Sequence, residues 1–363
     1  MKIPLVDLKA NYLSIKEKID SAISNVINDT AFIGGKYVQK FEEEFAAKIK
    51  AKYCVFCSSG TAALQLACLA HHIENKGIIT TSNTFIATAE AAESLASEGV
   101  ECFVDVNENG LINIDLLEQK LWDSNRFVVV PVHLYGQVVD VDLIKSKYNV
   151  EIIEDAAQAH FARYSDGKYV GSKNTTCFSF FPGKNLGGFG DSGALVTNNE
   201  DIYKYAKMYR DHGRKSKFES EIVGSNLRGD GIQAAILSVK LQHILEWNEK
   251  RKTITKKYNE YLKDIKEIQT PIYNGNFVYH LYVIRELSNR RNELKKHLED
   301  NGVSCGIHYL LPIHKQKAFN WASESNLPVT EMLASQILSL PIYPELLNDQ
   351  IEYICEKIKE FYE

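Results

Sequence analysis

Several features that mark other classes of protein are missing from this chain of 363 residues. It contains no run of 18 apolar residues, so we expect no membrane-spanning helix. Residues 1–8 have no apolar core and already include Asp7, so we expect no secretion signal. Basic residues are not in excess, since 42 Lys and Arg stand against 47 Asp and Glu and the formal net charge is −5. This balance argues against a protein that binds nucleic acid.

The chain also lacks the cysteine pattern of a disulfide-bonded or zinc-binding domain. Its seven cysteines are odd in number and scattered, which argues against a disulfide framework. Cys54 and Cys57 form a CxxC pair, but no second pair follows at zinc spacing, so we predict no metal site. Because both lie in an apolar segment, we interpret them as small buried side chains. We therefore expect a reducing compartment and a cytoplasmic protein.

What the sequence does contain is a regular alternation of strand-like and helix-like segments. The length and the 45% of hydrophobic residues allow a large core and more than one domain. The alternation from residue 53 onwards predicts an α/β fold with a parallel or mostly parallel sheet. The seven predicted strands are 53–56, 78–81, 101–104, 127–132, 151–154, 177–180 and 193–197. The helices predicted between them are 62–70, 87–96, 114–121 and 141–147.

Helical periodicity also appears on either side of this region. Apolar residues three and four positions apart predict amphipathic helices over 12–26 and 38–49. Residues 232–262 form one long helical pattern without Gly or Pro. We place a domain boundary inside this helix, which gives a large domain of residues 1–245 and a small α+β domain of residues 246–363. For the small domain we predict a strand at 279–284 and helices at 290–301, 331–340 and 349–362.

A glycine-rich turn carries the residue around which we expect the chemistry. An apolar run ends at Ser179, Lys184 follows five residues later, and residues 193–197 form the next strand. A lysine held between aromatic side chains loses solvation, which lowers its pKa toward that of a neutral amine able to form a Schiff base. Residues 188–193 also match the letters of a dinucleotide-binding fingerprint, but a strand follows where that fingerprint requires a helix. A pyridine-dinucleotide enzyme is kept as an alternative.

Other polar residues are expected where strands end. The motif Ser58-Ser59-Gly60-Thr61 precedes a helix, where free N–H groups bind phosphate, although a plain helix cap explains the same residues. Asp155 follows a buried strand and needs a cationic partner such as a protonated pyridine nitrogen, unless it caps the next helix. Further candidates each have a plain structural alternative. Phe85 is a candidate to stack on a flat ring, and Gln158 to bond a ring hydroxyl. Asn226 and Arg228 are candidates to bind an anion, and one loop brings together His308, Tyr309 and His314.

Taken in order, these motifs resemble the pyridoxal-phosphate-dependent nucleotide-sugar aminotransferases of the DegT/StrS type. The resemblance runs from Val6 to His314, and its most specific pieces are residues 154–160, 178–193 and 224–235. It implies an aspartate-aminotransferase-like large domain of fold type I and a smaller C-terminal domain. One departure is Phe161, which stands where this family commonly has Gly, so the rim of the substrate pocket is open to question.

The resemblance also implies a role for each site residue. Lys184 would hold pyridoxal phosphate as a Schiff base and act with Asp155, which would face the pyridinium nitrogen. Gln158 would bond the ring hydroxyl, and Phe85 would stack on the ring. Asn226 would reach the cofactor phosphate of the other subunit, which implies a homodimer with shared active sites. The remaining cofactor contacts would be Ser59, Gly60, Thr61 and Ser179.

The implied reaction is transamination from L-glutamate to a keto sugar. Residues 6–12 and 132–137 look most like members that aminate carbon 3 of a dTDP-linked 3-oxo-6-deoxyhexose. Enzymes that aminate carbon 4 share the cofactor residues and remain the alternative, as does a non-catalytic regulator of the same fold that binds a nucleotide sugar. The candidate substrate residues are Arg228, His308, Tyr309 and His314.

Overall fold

The centre of the molecule is a seven-stranded sheet. The computed structural model describes residues 1–73, 76–93, 99–121 and 123–363. The strands are β1 (Tyr53–Cys57), β2 (Gly77–Thr81), β3 (Val100–Val104), β4 (Phe127–Val129), β5 (Glu151–Asp155), β6 (Thr175–Ser179) and β7 (Gly193–Thr197). Their order in the sheet is β1-β7-β6-β5-β4-β2-β3. β7 is antiparallel to both neighbours and the other adjacent pairs are parallel, which confirms the predicted α/β fold with a mostly parallel sheet.

Helices cover both faces of this sheet. Neighbouring residues of β1, such as Val55 and Phe56, belong to two different clusters of buried side chains, because successive side chains of a strand point to opposite faces. A sheet buried on both faces needs strands that are apolar along their length, and these strands meet that need. The helices of this part are α1 (Leu8–Ser14), α2 (Lys16–Asn28), α3 (Gly35–Ile49), α4 (Gly60–Ala70), α5 (Ala87–Glu93), α6 (Val141–Tyr148) and α7 (Glu200–Tyr209).

One of the predicted helices in this part differs from the structure. The segment predicted as 114–121 is a 3₁₀-helix at Ile114–Gln119. Asp115 and the Asn113 cap, whose side chain accepts from the Asp115 amide, favour a tight turn there rather than a full α-helix. The end of the helix predicted over 87–96 lies outside the described residues.

The long helix predicted over 232–262 is wrong, because the structure divides it into α8 (Gly231–Leu241) and α9 (Ile244–Leu262). The chain turns at Gln242, whose amide bonds to the Val239 carbonyl. The two helices bury their apolar sides against different partners, α8 against α2 and α3 and α9 against the C-terminal helix. No Gly or Pro marks this turn, so the periodicity alone gave no sign of it.

The C-terminal part packs on its own small core. It contains β8 (Ile268–Gln269), β9 (Tyr282–Glu286), α10 (Arg291–Asp300), α11 (Pro328–Gln336), β10 (Ile337–Leu340) and α12 (Asn348–Tyr362). The predicted helix over 331–340 is wrong in its second half, since residues 337–340 are buried and pair with β9 as a strand. A short segment with three apolar residues of four fits either structure, and only the neighbouring strand decides between them.

Helix α9 runs from one core into the other. Ile244 and Trp247 belong to the core of the large sheet, whereas Tyr258 and Leu262 belong to the C-terminal core. This crossing agrees with a long element shared by two domains, and the boundary at residue 245 stays a prediction. In the part of the chain that the structure describes, no helix has the length and apolar character to cross a membrane, and no cluster of side chains suits a metal ion.

Candidate active site

A cavity of about 550 Å³, called the main cavity below because most of the predicted residues line it, opens where the strands of the large sheet end. Parallel strands bring their carboxyl ends to one edge, which is where ligands collect in α/β folds. Most of the residues predicted from the sequence line this cavity together. They are Ser59, Gly60, Thr61, Phe85, Asp155, Gln158, Ser179, Lys184, His308 and Tyr309.

Lys184 lies in the turn that follows β6. The turn is fixed by a 2.8 Å hydrogen bond from the Lys184 amide to the Phe181 carbonyl. Burial lowers the pKa of the Lys184 amine from 10.5 to about 8, although the nearby Asp155 carboxylate opposes the shift. A substantial fraction of this amine is therefore neutral near pH 8, as a nucleophile that attacks carbonyl carbon must be.

Asp155 is the last residue of β5 and is only 5% exposed. Its Oδ2 accepts a 2.7 Å hydrogen bond from the Thr88 hydroxyl, and its Oδ1 accepts one of 3.0 Å from the Ala157 amide. Among the described ion pairs none involves Asp155, so a buried carboxylate faces the cavity with no cation at ion-pair distance. A protonated ring nitrogen would supply the missing charge. Sequence reasoning missed Thr88, which lies in α5 and whose hydroxyl is also 3.1 Å from that of Thr84 in the preceding turn.

Gln158 and Phe85 stand on the wall where a ring would lie. The Gln158 Oε1 accepts from the Tyr135 amide at 2.7 Å, and its Nε2 donates to the Tyr309 hydroxyl at 3.0 Å. The first bond fixes which end of the amide faces the cavity. Phe85 is 55% exposed, an unusual state for a large aromatic side chain, and its ring centroid lies 6.0 Å from that of Tyr309. A flat ligand would cover this exposed face.

The start of α4 closes one end of the cavity. The Ser59 hydroxyl caps the helix by accepting from the Ala62 amide at 3.0 Å, so the capping alternative holds for this side chain. The Thr61 and Ser179 side chains line the cavity beside the first free amides of the helix. Position 60 must be glycine, because a Cβ there would lie 2.6 Å from the Cβ of Ser179.

These residues fit pyridoxal phosphate. An amine, an unpaired buried carboxylate, an exposed aromatic face and a helix N-terminus correspond to its aldehyde, ring nitrogen, ring and phosphate. Lys184 would hold the aldehyde carbon, Asp155 the ring nitrogen, and the Gly60–Thr61 amides the phosphate.

Three histidines surround Lys184, and two of them were not predicted. His280 and His308 line the main cavity, while His160 is buried between the rings of Phe178 and Phe180. Burial and the charge of Lys184 lower the pKa of His160 to about 3 and also lower the pKa of the other two. All three are therefore neutral imidazoles at neutral pH.

The structure leaves four of the residues named from the sequence outside the cavity. His314 is fully buried, with Nδ1 2.6 Å from the Ser82 hydroxyl and Nε2 3.2 Å from Glu331, so its role here is structural. Phe161 is buried in the core at φ 64°, which explains the preference for Gly there and removes it from the pocket rim.

The other two are Asn226 and Arg228, of which Arg228 lines a second cavity. The Arg228 guanidinium forms a 2.6 Å ion pair with Asp211, and Asn226 pairs with Asp211 through the backbone. The second cavity is lined by Arg228 with the basic residues Lys204, Lys207, Arg210, Arg214 and Lys215. Within one chain neither residue reaches the main cavity, so their predicted action in a partner's site stays a prediction.

The fold and this cavity define a pyridoxal-phosphate-dependent aminotransferase. More particularly, the chain belongs to the DegT/DnrJ/EryC1/StrS aminotransferase family, whose profile matches residues 13–359. The resemblance drawn from the sequence motifs is thereby confirmed.

Individual relatives cover the whole chain. The dTDP-3-amino-3,6-dideoxy-alpha-D-galactopyranose transaminase of Aneurinibacillus thermoaerophilus is 36% identical over 99% of each chain. The UDP-2-acetamido-2-deoxy-3-oxo-D-glucuronate aminotransferase of Pseudomonas aeruginosa is 35% identical over 97% of this chain and 98% of its own. A Geobacillus stearothermophilus protein named pleiotropic regulatory protein is 36% identical over 100% of this chain and 99% of its own.

A solved structure agrees with this assignment. The crystal structure of DesV from S. venezuelae, in complex with a ketimine intermediate, has a TM-score of 0.94. It is 34% identical and matches 100% of this chain and 99% of its own. The fold, the aminotransferase class and the cofactor predicted from the sequence are confirmed, whereas the sugar nucleotides named for the relatives differ from one another.

Proposed function

We propose that the enzyme transfers the amino group of L-glutamate to carbon 3 of a dTDP-linked 3-oxo-6-deoxyhexose. The product is a dTDP-3-amino-3,6-dideoxyhexose for a cell-surface glycan or a natural product. The observation that carries this proposal is that Lys184, Asp155 and the start of α4 line one cavity. The likeness to the Aneurinibacillus transaminase supports the choice of acceptor, and a cytoplasmic location suits the free cysteines.

The chain supplies two functions to this reaction, and the cofactor supplies the rest. Pyridoxal phosphate, when bound, carries the amino group and takes up the electron pair released as a proton leaves the α-carbon of the donor. Asp155, held by Thr88 and the Ala157 amide, keeps the ring nitrogen protonated. Lys184 would take the α-proton of the donor on Nζ and hand it on from the same atom. Its pKa of about 8 lets the same atom accept and return a proton at neutral pH.

We also infer that the working unit is a homodimer whose sites are shared. Asn226 and Arg228 do not reach the main cavity of their own chain, which is what a role in the partner's site requires. Large apolar side chains remain exposed, as expected for a surface that a second copy covers. Phe181 lines the main cavity, Phe189 follows in the same turn, and Phe32 and Ile33 precede two glycines of the second cavity.

A substrate screen tests the acceptor. The holoenzyme would be incubated with glutamate and with 3-oxo and 4-oxo sugars linked to dTDP, UDP or GDP, and each product would be located by NMR. We expect the dTDP-linked 3-oxo-6-deoxyhexose to be aminated fastest. A product aminated at carbon 4 would refute the choice of acceptor while leaving the cofactor chemistry intact.

The name of the Geobacillus relative favours one competing function, a regulator without catalysis. Reduction with borohydride followed by peptide mapping separates the two. We expect pyridoxal phosphate to be fixed to Lys184 in the purified protein. A colourless protein that cannot be reconstituted with the cofactor would support the regulator.

A further inference from the structure

Arg251 is a buried cation on the wall of the main cavity. It lies in the first half of α9 and is 3% exposed. Its Nη1 donates to the backbone carbonyls of Ile342 at 2.9 Å, His280 at 3.2 Å and Tyr279 at 3.3 Å. These contacts orient the guanidinium but leave its charge unbalanced, because all three acceptors are neutral.

The other guanidinium nitrogens of Arg251 form no hydrogen bond with the described residues. Nε has no hydrogen-bond partner, and among the described ion pairs no carboxylate lies within ion-pair distance of Arg251. Burial lowers the pKa of Arg251 to about 10, so the side chain stays charged at neutral pH. The acid that raises the pKa of Arg251 is Glu345. Its Oε1 accepts a 2.9 Å hydrogen bond from Asn11, and it lines a small neighbouring void rather than the main cavity.

Arg251 also shares its two cavities with the reacting amine. Both Arg251 and Lys184 line the main cavity, and both line the small void behind it. The cofactor's phosphate has its own site at the start of α4, built from different elements. An anion at Arg251 must therefore come from a molecule that reacts beside Lys184.

We propose that Arg251 binds the α-carboxylate of the amino donor, which rests on the proposed function. In an amino acid the carboxylate is two bonds from the nitrogen, so a donor whose nitrogen is at Lys184 places its carboxylate beside this arginine. A guanidinium fork matches a carboxylate in shape and charge. The keto sugar has no carboxylate, so Arg251 serves the first half of the reaction and not the second.

Separate measurement of the two half-reactions tests this role. Wild-type holoenzyme and the Arg251→Gln variant would be mixed in a stopped-flow instrument with L-glutamate or with the amino-sugar product. We expect the variant to lose about 100-fold in kcat/KM for glutamate and less than about threefold for the amino sugar. An equal loss in both half-reactions would overturn the proposal, because a residue that only supports the fold affects both.

A binding measurement gives a readout that needs no turnover. Glutarate, an unreactive dicarboxylate, would be titrated into the holoenzyme by calorimetry. We expect its Kd to rise at least about 30-fold in Arg251→Gln and less in Arg251→Lys, which keeps the charge and guards against misfolding. Lys250→Gln is the matched control, because it removes one positive charge from the same helix. That charge lies at the surface, where Lys250 pairs with Glu246. Glutarate binding that is unchanged in both Arg251 variants would overturn the proposal.

These experiments separate two kinds of failure. If the wild type reacts with glutamate but aminates no dTDP-sugar, the proposed acceptor is wrong. The glutamate half-reaction still tests the role of Arg251. If it does not react with glutamate at all, the proposed donor is wrong, and tight glutarate binding that depends on Arg251 would still support a carboxylate site.

Discussion

The environment of Lys184 fixes the pH range in which the amine can work. Burial moves its pKa from 10.5 to about 8, and a neutral amine is required for attack on the aldehyde of the cofactor. We therefore expect the rate at which the apoenzyme takes up pyridoxal phosphate to rise with pH and to level off above about 8. Rapid-mixing absorbance would measure it. Because Asp155 raises this pKa, Asp155→Asn should move the midpoint lower, and a wild-type midpoint near 10.5 would contradict the effect of burial.

The Thr88 hydroxyl is the second residue whose effect can be isolated. It gives Asp155 one of its two hydrogen bonds, so Thr88→Val should leave the carboxylate less well oriented toward the ring nitrogen. A bond to a charged group contributes about 1.5–3 kcal/mol, which corresponds to a loss of about tenfold or more in kcat/KM. Thr88→Ser keeps the hydroxyl and should retain most of the activity in the same steady-state assay. Similar losses in the two variants would mean that packing rather than the hydrogen bond matters.

At the scale of elements, the distance between α4 and β6 determines how well the phosphate site is formed. Gly60 begins α4 and packs against the backbone and Cβ of Ser179. Gly60→Ala would place two carbon atoms 2.6 Å apart, so the helix must move away from the strand. We expect pyridoxal phosphate to bind at least about tenfold more weakly, measured by fluorescence titration of the apoenzyme.

A glycine in open space provides the control for this change. An added Cβ at Gly275 meets nothing within 4 Å, so Gly275→Ala should leave cofactor binding and the melting temperature unchanged. Cofactor affinity that is equally unaffected in Gly60→Ala would contradict the tight contact between α4 and β6.

Two elements of the structure differ from the predictions made from the sequence. The break between α8 and α9 has no helix-breaking residue, and β10 has the composition of a buried helix end. In both places the local pattern allowed two structures, and the partner across the core selected one. The seven strands of the large sheet were predictable because long, buried apolar segments are bounded by polar and glycine-rich turns.

On the scale of the whole molecule, shared active sites predict complementation between inactive chains. Lys184→Ala removes the amine, and Asn226→Asp places a negative charge beside the partner's phosphate. Each homodimer should lose nearly all activity. A mixed dimer would contain one intact site, formed by Lys184 of one chain and the partner's Asn226.

Mixing the two variants by co-refolding therefore has a definite expected yield. Random pairing makes about half of the dimers mixed, with one good site of two, so about a quarter of the wild-type activity should return. Mixing each variant with itself is the control. No recovery, despite mixed dimers detected by mass spectrometry, would mean that Asn226 acts within its own chain or not in the site.

The sequence by itself determined the sheet, the lysine in its glycine-rich turn, the aspartate at a strand end and the phosphate loop. Each depends on short-range patterns, namely periodicity, turn residues and the helix start, and these are written in neighbouring residues. Only the tertiary structure decided that Thr88, His280 and Arg251 face the same cavity, and that His314 is buried away from it. Those residues come from separate elements, and no local pattern records which side chains the packing of the two cores brings together.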